Sequence, residues 1–176
     1  MPIFRLSFSV WLRLAVVLGC MGLAVGSLRG GDLRYPADGS GVLLTLPEDW
    51  TTAGEADGSL KCQSGDGEFS FVLFPNRVLR GPSRELPDIA QSMAKFAGLA
   101  DIETQDGGEK VNPNGTRIAG IIVLGKKGGD ELAGVVSVIT PTEGDACAFQ
   151  CFGTRSTLLV HSREMKAITD SFRSVK

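Results

Sequence analysis

The sequence is poor in the residues and motifs that carry most enzyme chemistry. It has one histidine and four cysteines in 176 residues. It contains no G-x-S-x-G elbow, phosphate-binding loop, dinucleotide fingerprint or H-E-x-x-H helix, and its acid-and-glycine stretches lack the ligand spacing of an EF-hand. We therefore predict a protein that is not an enzyme, with no catalytic residues, no cofactor and no metal site.

An excess of charge of one sign is also missing. The chain has 18 basic and 20 acidic residues, and no basic cluster interrupts this balance. Proteins that bind nucleic acid need a concentrated positive surface, so nucleic acid is excluded as a partner. A hydrophobic fraction of 43% and a charged fraction of 22% are typical of a globular protein, and the length fits one domain.

The first 26 residues have the composition of an export signal. Arg5 and Arg13 precede the apolar run Leu14–Val25, no acid occurs among them, and small residues stand at the −3 and −1 positions of a cut before Ser27. This order predicts a signal peptide over residues 1–26 and an exported, periplasmic or envelope-associated protein.

Two other interpretations would keep the protein on a membrane. An uncleaved anchor would bury Arg13 at about 3 kcal/mol, and the apolar run is shorter than the roughly 20 residues that span a bilayer. Lipidation at Cys20 is the second, because Val17-Leu18-Gly19-Cys20 is loosely similar to a bacterial lipobox. Membrane association is expected only in these two cases.

The rest of the chain predicts a short leader and one folded domain. Residues 27–40, rich in glycine and polar residues, are expected to form a flexible leader, and residues 41–176 a single α+β domain. Alternating or continuous apolar runs predict strands at 42–46, 59–63, 68–75, 116–127, 131–140 and 145–154, with a weaker strand at 101–108. Pro47 should end the first strand, and Trp50 should pack on the core from the turn that follows.

Two segments have helical periodicity. Between Pro87, which suits the first helical turn, and Gly98, which suits the end, the residues Ile89, Met93, Phe96 and Ala97 share one face. The last helix has Ser162 as its N-cap, or begins earlier near Thr157, and its apolar face comprises Met165, Ile168, Phe172 and Val175.

The central hairpin has apolar residues on both of its faces. Ile118, Ile122 and Leu124 point to one side, and Ile121 and Val123 point to the other. A sheet with two apolar faces must be covered twice, so we expect an antiparallel β-sheet flanked by two α-helices.

Cysteine spacing favours a structural role over chemistry. On a strand, Cys147 and Cys151 would lie roughly 13 Å apart on one face, too far to form a disulfide with each other or to share a zinc ion. We interpret them as core residues. Since export favours oxidation, a disulfide between Cys62 and Cys147 or Cys151 stays open. A small thiol-dependent hydrolase that pairs Cys147 or Cys151 with His161 is the enzymatic alternative.

Two polar stretches have simple structural explanations. Acidic residues alternate along the weak strand, as expected at an exposed sheet edge; these are Asp101, Glu103, Asp106 and Glu109. The Asn114-Gly115-Thr116 stretch matches a glycosylation sequon and is also an ordinary turn sequence.

Two segments at the ends of the predicted domain resemble a known family. Residues 41–50, GVLLTLPEDW, are similar to the opening, and ITDSFRSVK at the C-terminus is similar to the closing helix, of the PsbP/Mog-like domain family. The resemblance implies an antiparallel-sheet sandwich and a non-enzymatic binding or assembly role, and the export signal fits the DcrB-like envelope branch. We therefore expect an assembly-factor or binding domain that contacts an unidentified protein partner, with a lipid-anchored structural protein held through Cys20 as the other alternative.

Overall fold

All pairings between strands in the structure are antiparallel. The computed structural model describes residues 29–37, 39–79 and 85–175. The elements of this part of the chain are β1 (Arg29–Tyr35), β2 (Val42–Gly54), β3 (Leu60–Gln63), β4 (Ser70–Phe74), a 3₁₀ turn (Asn76–Val78), α1 (Leu86–Phe96), β5 (Ala100–Val111), β6 (Arg117–Lys127), β7 (Asp130–Thr140), β8 (Cys147–Gly153), α2 (Arg155–Val160), α3 (Ser162–Ser171) and β9 (Arg173–Ser174).

These strands form one sheet in the order β1-β2-β3-β4-β8-β7-β6-β5, and β9 pairs with β2. The central β6–β7 hairpin is in register from Arg117 opposite Thr140 to Lys127 opposite Asp130. Its turn needs two residues at positive φ, supplied by Gly128 at +63° and Gly129 at +97°. The predicted α+β class with an antiparallel sheet and flanking helices is confirmed.

Helices lie on both sides of the sheet. On one side α1 buries Ile89, Ala90, Met93 and Ala94 and packs against β5, β6 and β7. On the other side, α3 buries Ile168 in a larger core that also contains the aromatic residues Trp50, Phe69, Phe71, Phe149 and Phe172. Among the described residues, no helix is both long enough and apolar enough to cross a membrane.

The segment expected to be a flexible leader contains a strand. β1 pairs with β2 from Leu33 opposite Leu44 to Tyr35 opposite Val42. Tyr35 explains this order, because its ring is 4% exposed and its hydroxyl donates to the carbonyls of Gly58 at 2.8 Å and Leu73 at 3.1 Å. The polar composition of the segment predicts flexibility, whereas the burial of one aromatic residue, Tyr35, orders it as a strand.

Pro47 does not end its strand. β2 has 13 residues and continues past Pro47 to Gly54. Its register with β1 shifts between the pair Gly31 and Leu46 and the pair Arg29 and Thr51. Pro47 lies inside this irregularity, where a missing N–H costs no ladder bond. Trp50 is fully buried, as expected, but it lies within the strand rather than in a turn.

Both helix predictions need correction in detail. Phe96 was expected on the buried face of α1 and is 78% exposed, because the smaller Ala90 and Ala94 occupy that face. The C-terminal helix is split at His161 into α2, capped by Thr154, and α3. Phe172 is buried beyond the end of α3, and the predicted apolar position 175 also lies outside the helix.

Candidate functional site

The three described cysteines are core residues. Cys62, Cys147 and Cys151 are 0%, 1% and 5% exposed, and β8 places Phe149 between the last two on the same face. Burial raises the pKa of each thiol to about 12. A thiolate is the reactive form of cysteine, so these thiols stay protonated and unreactive at neutral pH.

The sheet register keeps Cys62 away from the other two thiols. Phe71 of β4 lies opposite Cys62 on one side and opposite Cys151 on the other. Two interstrand spacings of about 4.8 Å separate Cys62 from Cys151, beyond the ~7 Å that a disulfide bridges. All three are free thiols in the structure. A bridge between Cys62 and Cys147 or Cys151 would require this part of the sheet to repack.

His161 lies at the junction of α2 and α3 and faces carboxylates. Its ring is 3% exposed and stacks on Phe69 at 5.2 Å between centroids. Nδ1 lies 3.0 Å from Oε2 of Glu164, and Nε2 lies 3.4 Å from Oδ2 of Asp66 without hydrogen-bond geometry. The pKa of Asp66 is lowered, chiefly by the Ser64 hydroxyl. These contacts tie the helix junction to the β3–β4 turn.

The geometry does not support a thiol hydrolase. Both nitrogens of the His161 ring face carboxylates, and Cys147 and Cys151 point into the core of the sheet. In the part of the chain that the structure describes, no group of three or more His, Cys, Asp or Glu residues could hold a metal ion. Cys20 and the predicted signal peptide lie outside the described residues, so lipidation and export stay predictions.

Stability should fall in alkaline solution because of the buried thiols. Unfolded thiols ionise near 9.0, whereas the folded pKa is raised to about 12. The stabilisation is fully present below pH 9 and is lost as the pH rises from 9 towards 12. Urea unfolding at pH 7, 9 and 10.5 measures this loss. Replacing Cys62, Cys147 and Cys151 with alanine should flatten the decline, and an equally steep decline in that variant would contradict the explanation.

A groove lies between the sheet and the helices α2 and α3, and we call it the sheet–helix groove. It has a volume of about 590 Å³. Its floor includes Ile118, Gly120, Ile122 and Val135 of β6 and β7, and its wall includes Leu158, Met165 and Lys166. A neighbouring depression of about 630 Å³ shares Ala133 with it and extends the floor to Leu124.

The groove exists because the helical layer is narrower than the sheet. α3 has ten residues, about 15 Å of helix, and it packs mainly on β2. On this side of the sheet Ile118 is buried, but Ile122 is 38% exposed and Leu124 is 43% exposed. Both faces of the hairpin are apolar, as predicted, whereas complete cover of both faces is not observed.

The two ends of the groove differ in charge. At one end Lys110 and Lys166 lie beside a single carboxylate, Asp170, with Lys110 Nζ at 4.0 Å from Oδ1 and Lys166 paired to Oδ2. Lys166 is the largest cause of the lowered pKa of Asp170. The depression at the other end is lined by Asp101, Glu103 and Glu131 together with Lys126 and Arg155. The groove is therefore positive at one end and negative at the other.

The sequence singled out Cys151 as a candidate thiol, and it did not indicate a binding groove. One available signal was the mismatch between the ten-residue terminal helix and two strands of eleven residues with apolar residues on both faces. A helix of that length cannot cover the full hairpin, so part of the face had to stay open.

Solved structures show what this arrangement resembles. No protein-family model matches the chain, and no curated protein matches it. The solution structure of cyanobacterial PsbP, CyanoP, from Synechocystis matches with a TM-score of 0.54 at 12% identity over 86% of this chain and 96% of that one. The chain has a PsbP-like fold.

Two further structures share the fold of this PsbP-like domain. LpqN, involved in cell envelope biogenesis of Mycobacterium tuberculosis, matches with a TM-score of 0.52 at 9% identity over 84% of this chain and 91% of LpqN. A protein from Bacteroides thetaiotaomicron matches with a TM-score of 0.51 at 14% identity, and the chain spans half of its length. The predicted family resemblance is confirmed at the level of the fold.

Proposed function

We propose that this protein is an exported, non-enzymatic binding or assembly-factor domain of the bacterial envelope that acts through protein–protein contact. The proposal is supported by the PsbP-like fold, which this protein shares with LpqN, and by the predicted signal peptide. The buried thiols and the carboxylate-facing His161 also favour binding over catalysis. A shared fold does not define a function, so the surface must carry the argument.

The observation that carries the proposal is the distribution of exposed apolar side chains. Leu159 and Val160 of α2 lie on the side of the sheet on which α2 and α3 pack, and we call them the apolar rim. Leu159 and Val160 are 65% and 72% exposed although they are adjacent on one short helix. Large apolar side chains that are exposed next to one another are typical of a protein-binding surface.

The partner contact can be tested with paired surface variants. In cross-linking on bacterial cells, the double variant Leu159→Asp and Val160→Asp should lose a cross-linked envelope protein that the natural protein captures, by at least about tenfold, because the interface would bury two charges. Val111→Asp is the matched control, since Val111 is 64% exposed on the edge strand β5 and lies outside the rim.

Two results would contradict the proposal. Identical cross-linked products from the double variant and the natural protein would exclude the rim as the contact surface. Cell fractionation that finds this protein mainly in the cytoplasm would exclude export. The mass of the mature N-terminus, measured on the same samples, distinguishes cleavage before Ser27 from lipidation at Cys20.

A further inference from the structure

We propose that the sheet–helix groove binds a single-chain anionic amphiphile, namely an acyl chain with a terminal carboxylate. The chain would lie along β6, and the carboxylate would lie between Lys110 and Lys166. This site is distinct from the proposed protein contact, which depends on the outward side chains of Leu159 and Val160. The two proposals can therefore fail independently.

The shape of the groove fits a narrow, extended ligand. The floor follows β6 from Ile118 to Leu124, seven residues whose six steps span about 20 Å. Gly120 keeps this floor low, because a Cβ there would meet the Ser137 hydroxyl at 3.0 Å and Val135 at 3.4 Å. The volume of about 590 Å³ falls within the roughly 300–1,000 Å³ of small-molecule sites.

The depth and chemistry of the groove favour an acyl chain. It reaches down to Ile139, Phe149 and Cys151, which belong to the main core, and its wall presents Leu158 and Met165. Each methylene that leaves water in such surroundings adds to the free energy of binding. Methionine and glycine adapt to a ligand without a fixed side-chain shape, which suits a flexible chain.

The positive end of the groove specifies the head group. Two ammonium groups, of Lys110 and Lys166, share one carboxylate, Asp170, so one positive charge is left without a counter-charge. Lys110 Nζ also donates to the Thr169 hydroxyl at 3.5 Å, which holds the ammonium group at this end of the groove. The nearby Glu109 does not cancel this charge, since its carboxylate pairs with Arg117 at 3.4 Å.

The opposite end disfavours an anion and so fixes the direction of the ligand. The β5–β6 register places Lys110 opposite Ile118 and Glu103 opposite Leu124. Glu131 adds a further carboxylate beside Leu124. A carboxylate head would be attracted to the lysine end and repelled from the glutamate end, with the methyl end of the chain reaching towards Leu124.

Calorimetric titration of the protein purified after export, with dodecanoate below its micelle concentration, tests the proposal. We expect saturable one-to-one binding that weakens with added salt. Decanoate should bind about fivefold more weakly, because it buries two fewer methylenes in a partly open groove. Dodecyltrimethylammonium, with the same chain and a positive head, should bind at least about fivefold more weakly.

Variants locate the site. Ala133→Phe should abolish binding, because Ala133 lies where the groove and its neighbouring depression meet. Val111→Phe adds the same ring at an exposed position outside the groove and should bind normally. Replacing Lys110 and Lys166 with glutamine should weaken dodecanoate about fivefold and leave dodecyltrimethylammonium unaffected. If Ala133→Phe does not fold, Ile122→Asp at a 38% exposed position serves the same purpose.

Several results would overturn the proposal. These are no binding below the micelle concentration, equal binding of the cationic amphiphile, or unchanged binding by both Ala133→Phe and Ile122→Asp. A fourth is the loss of the cross-linked protein partner in Ala133→Phe without any dodecanoate binding by the natural protein. That outcome would assign the groove to a polypeptide.

Discussion

Replacing Asn112 with alanine should lower the free energy of unfolding by about 3 kcal/mol, since it removes the donor to the Thr169 carbonyl and the acceptor of the buried Thr116 N–H. The Asn112 side chain is 6% exposed and lies in the turn between β5 and β6. Its Nδ2 donates to the carbonyls of Thr169 at 3.1 Å, Asp170 at 3.4 Å and Phe172 at 2.8 Å. These carbonyls end α3 and have no partner within the helix.

The same side chain also holds its own turn. Asn112 Oδ1 accepts the N–H groups of Asn114 and Thr116, each at 3.0 Å. The alanine variant therefore loses the cap of α3 and the order of the turn together. Urea unfolding should show a lower midpoint with an unchanged slope, because the native fold remains and only its stability decreases.

Asn114 provides the matched control for this prediction. Its Nδ2 donates to two of the same carbonyls, Asp170 at 2.9 Å and Phe172 at 3.3 Å, but its side chain is exposed. In Asn114→Ala, water replaces the lost donor, so the cost should stay near or below about 1 kcal/mol. Equal losses in both variants would show that burial of the Asn112 amide does not determine its contribution.

The hydrogen bonds of Asn112 show what local sequence can and cannot predict. The segment 112–116 is a turn, as its composition predicts. Its acceptors lie 57 to 60 residues further along the chain, and no local pattern encodes such a contact. The glycosylation interpretation of Asn114 stays a prediction, although its amide nitrogen already donates to two carbonyls in this structure.

Periodicity predicted the elements whose burial follows their own sequence. The β6–β7 hairpin, the cysteine strand β8 and the acidic edge strand β5 all occur where alternation and turn residues place them. In each case the solvent or the core decides the residue type position by position. The edge strand is almost entirely exposed, which agrees with charged residues that protect a free edge.

The failures occur where distant residues determine the structure. β1 is ordered by the burial of Tyr35 against β2 and β4, and β2 passes Pro47 because β1 is irregular opposite it. Phe96 is exposed because the packed face of α1 is shifted towards Ala90 and Ala94, which leaves Phe96 outside it although Ile89 and Met93 are buried. The sheet–helix groove depends on how far α3 reaches across the sheet, which is a relation between elements and not a property of either.

Replacing Phe71 with alanine should lower the free energy of unfolding by about 4 kcal/mol, the second large effect that we expect. Phe71 is fully buried in β4, with its ring centroid 5.5 Å from that of Trp50 and 5.0 Å from that of Phe149. It also separates Cys62 from Cys151 in the sheet register. Close-packed neighbours on both flanking strands cannot fill the resulting cavity. The variant therefore loses the transfer free energy of the buried ring and also carries the free-energy cost of the cavity.

Phe96→Ala is the matched control because it deletes the same side chain from a helix surface. Phe96 is 78% exposed, and its removal should change the free energy of unfolding by less than about 0.5 kcal/mol. Sequence periodicity placed Phe96 in the core, so this pair also tests the structure against the pattern. If Phe96→Ala were the more damaging substitution, α1 would have to be rotated so that Phe96 packs on the sheet. If Phe71→Ala cost less than about 1 kcal/mol, the aromatic cluster around Trp50 would not be the centre of the main core.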